Sequence, residues 1–86
     1  MNLLFFSSSF CEPCVATRAV LQEVSALVPS ARMAELDVAR DADEAERAGI
    51  RTTPTVIVAR DDGTEVFRAE GVPTLNQVLA ALAKAV

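Results

Sequence analysis

The stretch Phe10-Cys11-Glu12-Pro13-Cys14 contains both cysteines of this 86-residue chain. It follows a short apolar run at residues 3–6 and precedes a run of apolar residues at helical spacing. Two thiols three residues apart at a strand-to-helix junction have the spacing of a redox dithiol. A disulfide between them would close a very short loop and would stabilise the fold little. The pattern therefore predicts a labile dithiol in a fold that is stabilised by packing.

The composition of the chain argues against several classes of function. Apolar residues make up 51% of the chain, which is enough for a core, and the net charge is −4 with a single lysine, Lys84. The lack of a basic cluster argues against nucleic acid as a partner. The chain has no histidine, the commonest general base and metal ligand. No apolar run reaches the ~18 residues of a membrane span, and the N-terminus lacks the charged start of a signal peptide. We expect a soluble, cytoplasmic protein.

The first half of the chain is typical of a βαβ unit. Residues 3–6 form a candidate buried strand, Pro13 suits the first turn of a helix, and Pro29 ends that helix. Residues 32–38 then predict a second strand, which a long helix would place parallel to the first. The predicted apolar stripe of the helix comprises Ala16, Val20, Val24 and Leu27, widened by Leu21 and Val28.

The second half predicts two strands between two helices. Asp41 and Glu44 have the spacing of a capping box for a short helix that ends at Gly49. Residues 51–59 are the most β-prone stretch and predict a central strand, and the turn at residues 61–63 predicts an antiparallel edge strand over 64–70. Thr74 and Gln77 form a second capping box, which opens a closing amphipathic helix.

The predicted order is β-α-β-α-β-β-α. Layer rules then favour an α/β fold with a four-stranded mixed sheet flanked by three helices, one domain over residues 1–86.

With this order in place, the sequence resembles the thioredoxin superfamily. Three separated signals agree: the Cys11-Glu12-Pro13-Cys14 motif, Thr53-Pro54-Thr55 at the start of the third strand, and Gly71 before the last helix. Gly49-Ile50-Arg51 adds to the similarity, which spans the chain. Because the chain begins on the motif-bearing strand, it is most similar to short, glutaredoxin-sized prokaryotic thioredoxins.

The resemblance implies a role for each site residue. Cys11, at a helix N-terminus that lowers the pKa of its thiol below about 8.5, would attack a substrate disulfide, and the more buried Cys14 would resolve the mixed disulfide. Pro54 would be cis, and the backbone of Thr53 would pair with an extended substrate segment. The remaining residues of the substrate groove would be Phe10, Glu12, Pro13, Gly71 and Val72.

Two positions depart from the family pattern. Phe5 stands where thioredoxins bury a carboxylate that assists proton transfer at the second cysteine, and Glu35 stands where they often carry a lysine. Glu12 replaces the usual glycine between the cysteines. Water or Glu12 would then have to serve in proton transfer.

The predicted function is that of an enzyme, a protein-disulfide reductase without a cofactor, monomeric and recharged by thioredoxin reductase. A glutaredoxin-like, glutathione-dependent oxidoreductase is the first alternative, with Arg51 as its one nearby cation. A metal- or cluster-binding module is another, although two thiols fall short of the four ligands of zinc, so we predict no metal site. A thioredoxin-fold binding module with an idle dithiol is the last.

Overall fold

The chain folds into four strands and three helices in the order that the sequence predicts. The computed structural model describes all residues, 1–86. The elements are β1 (Asn2–Ser7), α1 (Glu12–Leu27), β2 (Arg32–Asp37), α2 (Ala42–Arg47), β3 (Thr55–Ala59), β4 (Glu65–Glu70) and α3 (Leu75–Lys84).

The strands form one mixed sheet in the order β2-β1-β3-β4. β1 is parallel to β2 and antiparallel to β3, and β3 is antiparallel to β4. All five residues of β3 are buried, as expected for a central strand without a solvent-facing side. The predicted central and edge positions of β3 and β4 are therefore confirmed.

Helices cover both faces of the sheet, as predicted. On one face, α1 and α3 pack against β1 and β3 around a core that includes Leu3, Phe5, Leu21, Val56, Val58 and Leu82. On the other face, Ala45 of α2 packs against Phe6 and Ile57. No helix is both long and apolar enough to cross a membrane.

The predicted apolar stripe of α1 is only partly right, because Leu21 and Val24 are buried as predicted but other members are not. Ala16 and Leu27 are exposed. The buried residues repeat at spacings of three and four and begin with the motif itself: Cys14, Thr17, Leu21 and Val24. Thr17 can be buried because its hydroxyl donates a hydrogen bond to the carbonyl oxygen of Pro13 at 2.8 Å, so no polar group is left unpaired. A buried cysteine packs like a small apolar residue, which explains why Cys14 starts the stripe.

The predicted capping box at Thr74 is confirmed. The Thr74 hydroxyl accepts from the Gln77 N–H at 3.1 Å, and the Gln77 side chain accepts from the Thr74 N–H at 2.9 Å. The capping box at Asp41 is not formed, although Asp41 is the N-cap residue of α2. Its carboxylate instead accepts from the N–H of Asp37 at 2.9 Å and from the side chain of Arg40. The carboxylate is thus turned away from the helix that it precedes.

Gly49 ends α2 as predicted, with a φ of +69° that favours glycine. The N–H of Gly49 donates to the carbonyl of Glu46, and the N–H of Ile50 donates to that of Ala45, both at 3.0 Å. This pair of bonds is the Schellman arrangement, which satisfies the last carbonyls of the helix and directs the chain towards β3.

Candidate active site

Cys11 and Cys14 lie where β1 has ended and α1 begins. Cys11 is the N-cap residue of α1, with extended backbone angles, and Cys14 lies in the first turn. The two residues are joined by a disulfide, and their Cα atoms are 5.2 Å apart. Pro13 lies between them in the first turn, where its missing N–H breaks no helical hydrogen bond. The motif thus forms a disulfide loop at a helix N-terminus.

The two sulfur atoms have different surroundings. The side chain of Cys14 is 1% exposed and belongs to the core, whereas Cys11 is only partly buried. Cys11 Sγ accepts a hydrogen bond from the N–H of Cys14 at 3.2 Å. A negative charge on Cys11 would therefore face a backbone donor and the positive end of the helix dipole. Of the two thiols, Cys11 is the one suited to be an accessible thiolate.

An open cleft of about 480 Å³ lies in front of the disulfide. Its lining comprises Ser8, Phe10, Cys11, Glu12, Cys14, Val15 and Arg18. Phe10, Cys11, Glu12 and Cys14 among these were predicted from the sequence. The Phe10 side chain is fully exposed, and its backbone has a φ of +56°, which is uncommon for a residue with a side chain. The ring therefore stands at the rim of the cleft and faces solvent.

Thr53 and Pro54 approach the dithiol from the start of β3. The Thr53–Pro54 peptide bond is cis, in agreement with the prediction. Thr53 Oγ1 lies 3.9 Å from Cys11 Sγ, within reach of a weak hydrogen bond to the sulfur. Thr53 precedes β3, and its backbone N–H and C=O have no hydrogen-bond partner within the chain. These free groups are what an added strand would need.

The other predicted groove residues lie farther from the cleft. The N–H of Gly71 donates to the carbonyl oxygen of Pro54 at 2.9 Å, which ties the end of β4 to the cis-proline. Val72 is 46% exposed. Neither of these residues lines the cleft, and nor does Pro13. Gly71 has a φ of +99°, a conformation that favours glycine.

Sequence reasoning missed three residues that line the cleft: Ser8, Val15 and Arg18. Arg18 could have been found by helical spacing, because it follows Cys14 by four residues and so shares its face of α1. Ser8 directly follows β1, at the end of the strand that leads to the motif. No pattern in the sequence singled out Val15.

Arg18 and Glu35 occupy the region where the family pattern would place a buried carboxylate and a lysine. Glu35 lies opposite Phe5 in the β1–β2 ladder, and Phe5 is buried in the core. The guanidinium of Arg18 lies 5.6 Å from the centroid of the Phe5 ring. The Glu35 carboxylate also accepts from the hydroxyl of Ser7 at 2.8 Å. The hydrogen bonds from Arg18 lower the pKa of Glu35, so this carboxylate is a weak base.

A second open cleft, of about 360 Å³, lies beside Thr53 and is lined in part by Ser8 and Arg51. The Arg51 guanidinium bonds to the carboxylate of Glu70, with the shorter distance at 2.8 Å. A glutathione carboxylate would have to compete with Glu70 for this guanidinium. The structure also brings no cluster of three His, Cys, Asp or Glu side chains together in a geometry for a metal ion.

Comparisons with known proteins agree on one family. The family model described as Thioredoxin matches residues 1–84. A thioredoxin of Chlamydia muridarum (strain MoPn / Nigg) is 29% identical over 82 residues, which cover 95% of this chain and 79% of that protein.

Solved structures show the same fold. Mitochondrial thioredoxin 3 of Saccharomyces cerevisiae superposes with a TM-score of 0.84 at 19% identity, over 96% of this chain and 76% of that one. Thioredoxin 1 of Thermosipho africanus TCF52B gives a TM-score of 0.83 at 20% identity, over 98% of this chain and 92% of that one.

Proposed function

The chain belongs to the thioredoxin family, and from that premise we propose separate roles for its two cysteines. It is a thiol-disulfide oxidoreductase, an enzyme that acts on protein disulfides and depends on a reductase partner. The proposal is that Cys11 is the nucleophile and Cys14 the resolving thiol. The observation that carries it is the contrast between Cys14, which is buried in the core, and Cys11, which is only partly buried.

In the first step, the Cys11 thiolate attacks one sulfur of a substrate disulfide. A Cys11–substrate disulfide forms, the substrate S–S bond breaks, and the other substrate sulfur leaves as a thiolate. The Cys14 N–H and the Thr53 hydroxyl point at Cys11 Sγ and favour its thiolate form.

In the second step, Cys14 attacks Cys11 Sγ. The Cys11–Cys14 disulfide forms, the second substrate thiolate leaves, and the substrate has gained two electrons. The proton of Cys14 passes to water or to Glu12 in the open cleft, because Phe5 offers no base and the Glu35 carboxylate is held by Arg18. A reductase then returns two electrons to the disulfide.

The substrate would lie along the cis-proline. Its extended segment would pair with the free N–H and C=O of Thr53, as in addition of a short β-strand. Phe10 and Val72 are both exposed apolar side chains near this path and would contact the substrate on its two sides. Glu12 at the cleft would disfavour acidic residues next to the substrate disulfide.

We propose thioredoxin reductase as the electron donor, rather than glutathione. The pairing of Arg51 with Glu70 supports this choice, because a glutathione carboxylate would have to compete with Glu70 for that cation. We also propose that the protein acts as a monomer in the cytoplasm, where both cysteines serve redox chemistry and none is left for a structural disulfide.

The test is turnover of insulin disulfides by the purified protein, with two recycling systems compared. With NADPH and thioredoxin reductase, we expect sustained turnover that Cys11→Ser abolishes and that the control Ser9→Ala leaves unchanged. Faster recycling with NADPH, glutathione reductase and glutathione would contradict the proposed donor. A folded wild-type protein that reduced no insulin in either system would refute the reductase function. The molar mass from light scattering of the same sample tests whether the protein is a monomer.

A further inference from the structure

Two hydroxyl groups and the Cys11 sulfur form a chain of contacts at the site. Ser8 Oγ lies 2.7 Å from Thr53 Oγ1, and Thr53 Oγ1 lies 3.9 Å from Cys11 Sγ. Ser8 and Thr53 are both partly buried. Each hydroxyl has one proton to donate and can also accept. The direction of the Ser8–Thr53 bond therefore decides whether Thr53 can donate to the sulfur.

The sheet register brings these two hydroxyls together. β1 and β3 are antiparallel, with Phe6 opposite Thr55. Continuing that register by two residues beyond the end of the ladder places Ser8 opposite Thr53. The contact is thus built into the pairing of the two central strands. Ser8 lines both clefts, so it lies between the disulfide and the second cleft.

We propose that Ser8 is a positioning residue for the Cys11 thiolate. In the reduced protein, the Ser8 hydroxyl donates to Thr53 Oγ1, and the Thr53 hydroxyl proton is thereby directed at Cys11 Sγ. Donation to a charged acceptor is stronger than donation to a neutral hydroxyl, so the thiolate selects this direction. The inference rests on the proposed function, in which Cys11 is the nucleophile.

No covalent bond to either hydroxyl forms or breaks in this scheme. The proton lost by Cys11 goes to solvent, and the two hydroxyl protons stay on Ser8 and Thr53. The sulfur then has two donors, the N–H of Cys14 at 3.2 Å and the hydroxyl of Thr53. The expected result is a lower pKa of the Cys11 thiol and more thiolate at neutral pH.

Other titratable groups near Cys11 are the same in every variant of the test. On α1, the cleft is lined by Glu12, Cys14 and Arg18, the last of which is paired with Glu35. On the side of β3, the nearest is Arg51, paired with Glu70. Their effects on the Cys11 pKa cancel when variants are compared with the wild type, so the comparison isolates the hydroxyl chain.

The test is the pH dependence of Cys11 alkylation by iodoacetamide in the reduced full-length protein, with the modified cysteine identified by peptide mass spectrometry. Below the Cys11 pKa, we expect Ser8→Ala to slow alkylation about threefold and Thr53→Val to slow it more. Ser8→Thr, which keeps the hydroxyl, should restore the wild-type profile. Ser9→Ala, at the exposed neighbouring residue, is the matched control and should not change it.

The double variant Ser8→Ala with Thr53→Val tests whether Ser8 acts on Cys11 through Thr53. Because Ser8 acts through Thr53, Ser8→Ala should have no further effect when Thr53 is already valine. An unchanged profile in Ser8→Ala, or an equal shift with and without Thr53, would overturn the proposal. Alkylation of Cys14 ahead of Cys11 would instead refute the proposed nucleophile. Insulin turnover, measured on the same wild-type sample, tests the proposed function separately.

Discussion

Arg18 and Glu35 form a two-point ion pair between α1 and β2. The guanidinium donates to the carboxylate at 2.9 Å and 2.6 Å, above the ring of Phe5. The family pattern would place a single buried carboxylate beside the second cysteine. Here the buried ring of Phe5 takes that position, and the Arg18–Glu35 ion pair covers it. The charges of the pair balance each other, which leaves the cleft itself as the route for protons.

The ion pair makes stability depend on pH. Arg18 lowers the pKa of Glu35 in the folded protein, so its contribution is present above the unfolded pKa of about 4.3 and is lost as the pH falls through the folded pKa. The side chains are 41% and 39% exposed, so solvent screens the pair. We expect Glu35→Gln to lower the free energy of unfolding at pH 7 by about 0.5 kcal/mol.

Urea denaturation from pH 7 down to about pH 2 checks this expectation, since that range crosses the ordinary glutamate pKa. The difference between the wild type and Glu35→Gln should shrink below pH 5 and disappear in acid. Glu44→Gln is the matched control, because Glu44 pairs with Arg47 at a more exposed position within one helix. A difference that stayed constant across the pH range would exclude the ion pair as its cause.

Cys14→Ser should trap the reaction at the mixed disulfide. Without the resolving thiol, the complex with an oxidised protein substrate persists, and the crosslink should map to Cys11. Non-reducing electrophoresis followed by peptide mapping provides the measurement. Trapping that persisted in Cys11→Ser and failed in Cys14→Ser would reverse the two roles.

Substitutions of Phe10 should separate the effect of its strained backbone on stability from the effect of its ring on substrate binding. The ring is fully exposed, so its removal costs no packing, but the φ of +56° disfavours any residue with a Cβ. We expect the free energy of unfolding of Phe10→Gly to exceed that of Phe10→Ala by about 1 kcal/mol. Both variants should raise KM for protein substrates to a similar extent. Equal stability of the two would show that the left-handed backbone carries no cost.

The Thr74 cap should contribute measurably to the stability of α3. Thr74→Ala removes the acceptor of the Gln77 N–H and should cost about 1 kcal/mol in thermal or urea denaturation. Thr74→Ser retains the hydroxyl and should stay close to the wild type. Insulin turnover should be unchanged in both, and a loss of activity without a loss of stability would contradict a purely structural role.

The features that sequence reasoning predicted well depend on neighbours along the chain. The element order follows from apolar runs and turn residues, and the end of α2 follows from a glycine in the left-handed conformation at position 49. The cysteine motif has its position because Pro13 and an N-cap at Cys11 suit the first turn of a helix. Each of these depends on interactions within about five residues, which a single sequence displays directly.

Which polar side chains meet depends on how the elements pack. Arg18 reaches Glu35 across 17 positions, and Ser8 meets Thr53 across 45, and both contacts depend on the alignment of neighbouring elements. The burial of Thr17 was missed for a different reason, because a threonine reads as polar in the sequence and is buried only where its hydroxyl finds an acceptor, here the Pro13 carbonyl. The dithiol and the helix that follows it could be predicted from the order of residues alone. The surroundings of the two sulfurs came from strand register, since side chains distant in sequence become neighbours only when the sheet is assembled.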